Sequence, residues 1–125
     1  MKVAVIPARI GSKRVKKKNI KIFLGKPIIY WAIQAAKKSK IFDMIIVSTD
    51  NNQIAKIAKK FKVEAPFLRP KSLSGDKTPV SNVVAHSISW LKDNGYKPSY
   101  VCCIFATAAF VKSRDIKEGF KKIKK

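Results

Sequence analysis

Short unbroken apolar runs alternate along the chain with longer stretches in which apolar residues recur every three or four positions. Lys2-Val-Ala-Val-Ile-Pro-Ala8 is the first such run. Rich in Val and Ile and without alternation, it predicts a strand buried on both faces, as in a parallel sheet. Pro7 belongs at its end, because proline cannot donate to a central ladder. After a long basic loop, Arg9 to Gly25, Pro27 takes a first helical position, and Ile29, Ala32, Ile33 and Ala36 mark one helical face. Met44 to Ser48 is a second buried strand. Asp50 with Gln53 three residues on reads as a capping box, opening a helix on Ile54, Ile57, Ala58 and Phe61 with Lys56, Lys59, Lys60 and Lys62 on its wet side. A short third strand is expected near Val63 to Ala65.

An irregular stretch from Pro66 to Lys77 follows. Thr78-Pro79 opens a helix on Val80, Val83, Val84, Ile88 and Leu91, which Asn94-Gly95 ends with residues that tolerate the left-handed conformation. Tyr100 to Ala106 is the fourth and most apolar strand. Ser113 to Lys125 is a last helix on Ile116, Phe120 and Ile123. Strand and helix thus alternate throughout, which predicts an α/β domain with a mainly parallel sheet and right-handed crossovers. Ligands of such sheets bind beyond the carboxyl ends of the strands, where strand order reverses. Three segments meet there: the loop after the first strand, Thr49-Asp50-Asn51, and the tip of the fourth strand from Thr107.

The 125 residues correspond to one domain, and 46% hydrophobic residues exclude wholesale disorder. Charge is the unusual property. There are 24 lysines and four arginines (Arg9, Arg14, Arg69, Arg114) against seven acidic residues, a formal +21. Nucleic acid, an anionic membrane or a phosphorylated small molecule all satisfy such a balance. No apolar run reaches the 18 or more residues of a membrane span, and the Val3 to Ile6 run is too short for a secretory signal. The adjacent Cys102 and Cys103 point to opposite faces of a strand, so buried reduced thiols in a cytoplasmic protein are expected.

The candidate chemistry lies in the loop after the first strand, Pro7-Ala8-Arg9-Ile10-Gly11-Ser12-Lys13-Arg14-Val15-Lys16-Lys17-Lys18-Asn19. Gly11-Ser12 lets backbone N–H groups approach a phosphate, and the flanking cations neutralise it. It lacks the Gly-Lys-Ser/Thr ending of a Walker A loop and the G-x-G-x-x-G of a dinucleotide site. By composition alone it is equally a solvated basic loop; its position at the sheet's binding rim favours a nucleotide.

The segment Ile6-Pro7-Ala8-Arg9-x-Gly11-Ser12-Lys13-Arg14, with Lys18-Asn19-Ile20 and Gly25-Lys26-Pro27, resembles the N-terminal signature of the acylneuraminate cytidylyltransferases. The Lys18-Asn19 pair separates it from the ketodeoxyoctonate branch. Val47-Ser48-Thr49-Asp50 is similar to the family's second strand and turn. Arg69-Pro70-x-x-Leu73-Ser74-x-Asp76-x-Thr78-Pro79 with Val84-Ala85-His86, and Cys102-Cys103-Ile104-Phe105-Ala106-Thr107-Ala108, look most like the pseudaminic acid cytidylyltransferases. The resemblance runs from Met1 to about Val111.

It implies a Rossmann-like nucleotidyltransferase fold, with residues 1–125 as the nucleotide-binding N-terminal part of a cytidylyltransferase domain. The implied reaction transfers CMP from CTP to a nonulosonic acid, a nine-carbon acidic sugar of the pseudaminic type, releasing pyrophosphate. Carried over residue by residue, Arg9, Ser12, Lys13 and Lys18 bind the CTP phosphates. Arg9 and Lys18 are the catalytic cations, Lys18 with the larger effect on rate. Ala8 and Gly11 let the backbone approach the nucleotide. Arg69 and Asp76 lie at the cytidine end, and Asn19 and Thr107 at the sugar. For Asp50 a helix cap is the simpler role, and for His86 packing.

The resemblance also implies Mg2+, a homodimer in the full-length enzyme, and no membrane partner. Three departures stand out. Ile10 replaces a glycine usual in the sialate branch, and Ala109 stands where proline is common. The family's domain is also about twice as long, so its acidic metal ligands, much of its sugar pocket and its dimer contact are expected beyond residue 125, and the short chain alone is expected to have little activity. The competing reading is a small basic nucleic-acid-binding protein. It is disfavoured because the lysines spread over most helices, and because Phe23, Trp31, Phe61, Trp90, Phe105 and Phe120 mostly take core-facing positions rather than forming a stacking platform.

Overall fold

The computed structural model describes residues 1–9, 22–75, 77–107 and 112–124. In chain order it holds β1 (Lys2–Pro7), β2 (Ile22–Phe23), β3 (Lys26–Pro27), α1 (Ile28–Ser39), β4 (Met44–Ser48), α2 (Asn52–Lys60), α3 (Val80–Asp93), β5 (Tyr100–Cys103) and α4 (Ser113–Lys124). A single 3-10 turn, Lys71–Leu73, interrupts the irregular stretch before α3. β4, β1 and β5 form a parallel sheet in that order, with Val5 opposite both Ile46 and Cys103. An isolated parallel bridge, Ile46 to Glu64, adds one rung beyond β4 where a third strand was expected, and a second joins Thr49 to Leu68.

The alternation of a strand's side chains explains why β1 is apolar at every position. Ala4 and Ile6 pack into a core with Ile29, Ile33, Val47 and Ile54, while Val3 and Val5 turn to the other face, with Ile46 and Leu91. The first core takes α1, α2 and Ile116 of α4; the second takes α3. The two cores are aliphatic. Of the aromatic residues expected to face the core, Phe61 packs against the first core and Trp90 against the second, each only partly buried, whereas Phe105 is 56% exposed. Phe67, partly buried against the second core, meets His86 edge to face at 4.7 Å, which agrees with the packing role expected of that histidine.

Several boundaries differ from expectation for identifiable reasons. The segment before α1 is not all loop: β2 and β3 form a hairpin whose two turn residues, Leu24 (φ 49°) and Gly25 (φ 83°), are both left-handed, as a type I′ turn requires. Pro27 ends β3 and caps α1 from outside rather than taking the first helical position. On α3 the buried line is Val83, Ser87 and Leu91, and Val80 is exposed. β5 ends at Cys103, although the Ile104 amide still donates to the Val5 carbonyl at 3.0 Å. Among the described residues β5 pairs only with β1, so Cys102 is half-buried and Cys103 exposed, not buried as expected. Both thiols are reduced. Ile123, expected on the packed face of α4, is 68% exposed.

Candidate functional site

Chain order runs outward from β1 to β4 and the Glu64 bridge, then returns across β1 to β5. The order reverses beside β1, so the crevice at the carboxyl ends of these strands is the place such folds bind ligands. The end of β1 is held there by hydrogen bonds. The Ala8 amide donates to the Ser48 carbonyl at 2.8 Å, and Ala8 is buried. Arg9 follows, half-buried, at the start of the basic loop.

Arg69 reaches the same rim from the far side of β4. Its amide donates to the Thr49 carbonyl at 2.7 Å, continuing the bridge at Leu68. Its guanidinium donates through Nη2 to the Ser48 carbonyl at 3.3 Å and through Nη1 to the Leu73 carbonyl at 2.9 Å. The Ser48 carbonyl therefore serves Ala8 and Arg69 together. Arg69 is 6% exposed, and its Nε, like the Ser48 hydroxyl, is buried without a partner. Burial pushes the guanidinium below its ordinary value; the Asp50 carboxylate opposes that shift and the neighbouring Arg9 adds to it. Arg9, Asp50 and Arg69 thus share one electrostatic neighbourhood, and the sequence had no signal for the Ser48 link.

Asp50 is not the cap of α2. Asn51 is: its Oδ1 accepts the amides of Gln53 at 2.8 Å and Ile54 at 3.4 Å, while Thr49 Oγ1 accepts the Asn51 amide at 3.2 Å. The cap sits one residue later because the bridge at Thr49 keeps the chain extended past the end of β4. The far end of the basic loop is also pinned. Trp31 Nε1 donates to the Phe23 carbonyl at 2.8 Å, holding the β2–β3 hairpin on α1.

Of the sequence-predicted site residues, Ala8, Arg9 and Arg69 gather at the rim, and Thr107 lies exposed beyond the end of β5. Gly11, Ser12, Lys13, Lys18, Asn19 and Asp76 lie outside the described residues. A separate groove of about 430 Å³ lies between β5 and α4, lined by Tyr100, Cys102, Ile104, Ile116 and Phe120. Its apolar walls suit no phosphate. Among the described residues no three of His, Cys, Asp and Glu converge as metal ligands would. Asp43 is committed to the Lys2 amide and Asp115 to that of Lys112. No described helix is long and apolar enough to cross a membrane.

The parallel sheet flanked by helices, with a cationic rim at its reversal point, is a Rossmann-like nucleotidyltransferase fold. A solved CMP:2-keto-3-deoxy-manno-octonic acid synthetase complexed with CTP superposes on 98% of the chain with a TM-score of 0.83, at 19% identity and over 47% of its own length. Rv0371c of Mycobacterium tuberculosis H37Rv, in complex with manganese, gives a TM-score of 0.58 at 10% identity, over 96% of this chain and 58% of its own. The family model of the cytidylyltransferases matches residues 3–125, and the chain belongs to that family. It is similar to the pseudaminic acid cytidylyltransferase of Campylobacter jejuni subsp. jejuni serotype O:2, 40% identical over 120 residues, 96% of this chain and 52% of the relative. The chain spans about half the length of the Campylobacter relatives it matches.

Proposed function

We propose that the rim binds CTP and that the chain acts as the nucleotide-binding part of an enzyme transferring CMP to a nonulosonic acid of the pseudaminic type. The observation that carries this is the Ser48 carbonyl shared by Ala8, one residue before Arg9, and Arg69 at the carboxyl ends of β1 and β4, beside the point where strand order reverses. In the reaction, the anomeric hydroxyl of the sugar acid attacks the α-phosphorus and gives up its proton. The bond from that phosphorus to the β-phosphate oxygen breaks, and pyrophosphate leaves. Negative charge builds on phosphoryl oxygens, so fixed cations stabilise the transition state.

Arg9 and Lys18 are assigned that work, with Ser12 and Lys13 on the phosphates and Ala8 and Gly11 giving the backbone room to approach. Arg69 and Asp76 are assigned to the cytidine end, where the spare Nε of Arg69 is a donor in want of an acceptor. Asn19 and Thr107 are assigned to the sugar. A divalent ion such as Mg2+ would neutralise phosphate charge in the full-length enzyme, which we take to be a homodimer; no step above is routed through it.

The test is a titration of CTP against a short oligonucleotide at moderate salt. CTP binding that survives salt better than oligonucleotide binding supports the assignment; tight oligonucleotide binding without preference for CTP refutes it. In a version extended to the length of the Campylobacter relatives, Lys18→Ala is expected to abolish pyrophosphate release with the fold intact.

A further inference from the structure

The exposed tyrosines of this chain lie against another ring. Tyr100 meets Phe120 edge to face at 5.1 Å, and Tyr96 stacks on Trp90 at 6.2 Å. Phe105 is more exposed than either, and among the described residues no ring pairs with it. One exposed apolar side chain is ordinary on a protein surface. What sets Phe105 apart is where it stands. The Ile104 amide donates to the Val5 carbonyl of β1 at 3.0 Å, and Phe105 is the next residue. Cys102, Ile104 and Ala106 turn into the first core, so the ring between the last two turns to the other face. Ile104 and Ala106 are both buried, which fixes the backbone on either side of the ring. Phe105 thus stands at the carboxyl end of β5, beside the strand whose end carries Ala8 and Arg9, and two residues before Thr107.

We propose that Phe105 is a specificity-determining residue, the apolar contact for an acyl or deoxy substituent of the sugar acid. The inference rests on the proposed function and narrows its acceptor to a nonulosonic acid with methyl-bearing substituents. A phenyl ring has neither donor nor acceptor to offer a hydroxyl. It gains from covering a methyl group, whereas a sugar hydroxyl pressed against it loses water without a replacement bond. One apolar group more or less in such a contact is worth about 10–200-fold in discrimination. Held between two buried neighbours, the ring needs little ordering when the sugar arrives. Thr107, exposed two residues on, is left for a polar group of the same ligand.

The experiment uses the 125-residue chain and its Phe105→Gln and Phe105→Leu variants. Because the ring is mostly exposed, both variants should keep the fold, which thermal melts check. Calorimetry without added metal ion gives dissociation constants for CTP and, with and without CTP, for two sugar acids. Pseudaminic acid carries acetamido and methyl groups; ketodeoxynonulosonic acid, of equal length and charge, carries hydroxyls instead. Carbon-13 labelling of the phenylalanine rings reports contact, with the Phe105 signals assigned by their loss in Phe105→Leu.

The wild-type chain is expected to prefer pseudaminic acid by about tenfold or more, and that sugar to shift the Phe105 ring signals. Phe105→Gln should weaken pseudaminic acid about fivefold or more and leave the polyol as it was or tighter. Phe105→Leu, still apolar, keeps most of the preference, and CTP binds equally to all three chains. A preference untouched by Phe105→Gln, equal weakening of both sugars, or CTP binding with neither sugar overturns the proposal. A chain that binds pseudaminic acid against Phe105 while ignoring CTP would instead refute the nucleotide reading and leave the contact standing. Binding of neither CTP nor sugar overturns both.

Discussion

Asn51 caps α2 by accepting the Gln53 amide at 2.8 Å, one residue beyond the acid that the sequence offers for that task. Asn51→Ala is therefore expected to cost about 1 kcal/mol, within the range of about 0.5–2 for lost caps. Asn51→Asp should cost little, since a carboxylate oxygen accepts the same amides at a helix N-terminus that favours negative charge. Urea unfolding followed by circular dichroism measures both. Equal losses for the two variants would contradict the capping role.

Ser87 sits fully buried between Val83 and Leu91 where α3 packs on β1. Its hydroxyl donates to the Val83 carbonyl at a long 3.4 Å, a bond of little net value. Ser87→Ala is expected to change stability by no more than about 0.5 kcal/mol. Ser87→Leu should cost about 1–3 kcal/mol, because added volume must push α3 off the sheet. Thermal melts of the pair check the ordering.

The hairpin turn carries a leucine in a conformation that β-carbons disfavour by about 1–2 kcal/mol. Leu24 is 73% exposed, so replacing it forfeits little burial. Leu24→Asn is expected to stabilise the chain by about 0.5–1 kcal/mol. A lower denaturation midpoint for this variant would mean that the exposed side chain has a partner of its own.

Burial pushes the Cys102 thiol above its ordinary value, and burial together with Cys102 does the same for Cys103. The folded chain therefore keeps its protons at pH values where the unfolded chain has released them. The stability these thiols contribute is whole below the ordinary thiol value and is lost as pH rises through the raised one. Since the thiolate is the reactive form, native Cys103 should alkylate with iodoacetamide along a pH profile displaced to the alkaline side of the denatured profile. Coincident profiles would contradict the shift.

Much of the architecture is legible in the sequence because periodicity reports burial directly. The runs at Val3 to Ile6 and Met44 to Ser48 are the paired strands β1 and β4, and Ile29, Ala32, Ile33 and Ala36 are buried as spaced. What pattern does not carry is which group meets which across the chain. The pattern offers Asp50 as the cap of α2, and Asn51 takes that place because the bridge at Thr49 keeps the chain extended one residue further. Arg69 falls in the irregular stretch after Pro66, where pattern assigns no partner, and hydrogen bonds to Ser48, Thr49 and Leu73 draw it into the rim. Cys103 and Phe105 are apolar enough for a core, but their exposure depends on what lies beside β5. The rim itself is foreseeable from topology; the brace that holds it is not.

The uncharged run Tyr100 to Phe105 has a consequence for handling the protein in solution. The amides of Tyr100 and Ile104 turn toward β1, so those of Val101 and Cys103 point to the opposite edge, where no strand pairs among the described residues and another could stack. No charge within the run guards that edge. Protection falls to the lysine coat at long range, where +21 on each molecule keeps copies apart. Such repulsion reaches about 30 Å at 0.01 M salt and only about 3 Å at 1 M. Colloidal stability should accordingly fall as ionic strength rises, the reverse of ordinary salting-in, with light scattering increasing first in sulfate and phosphate buffers.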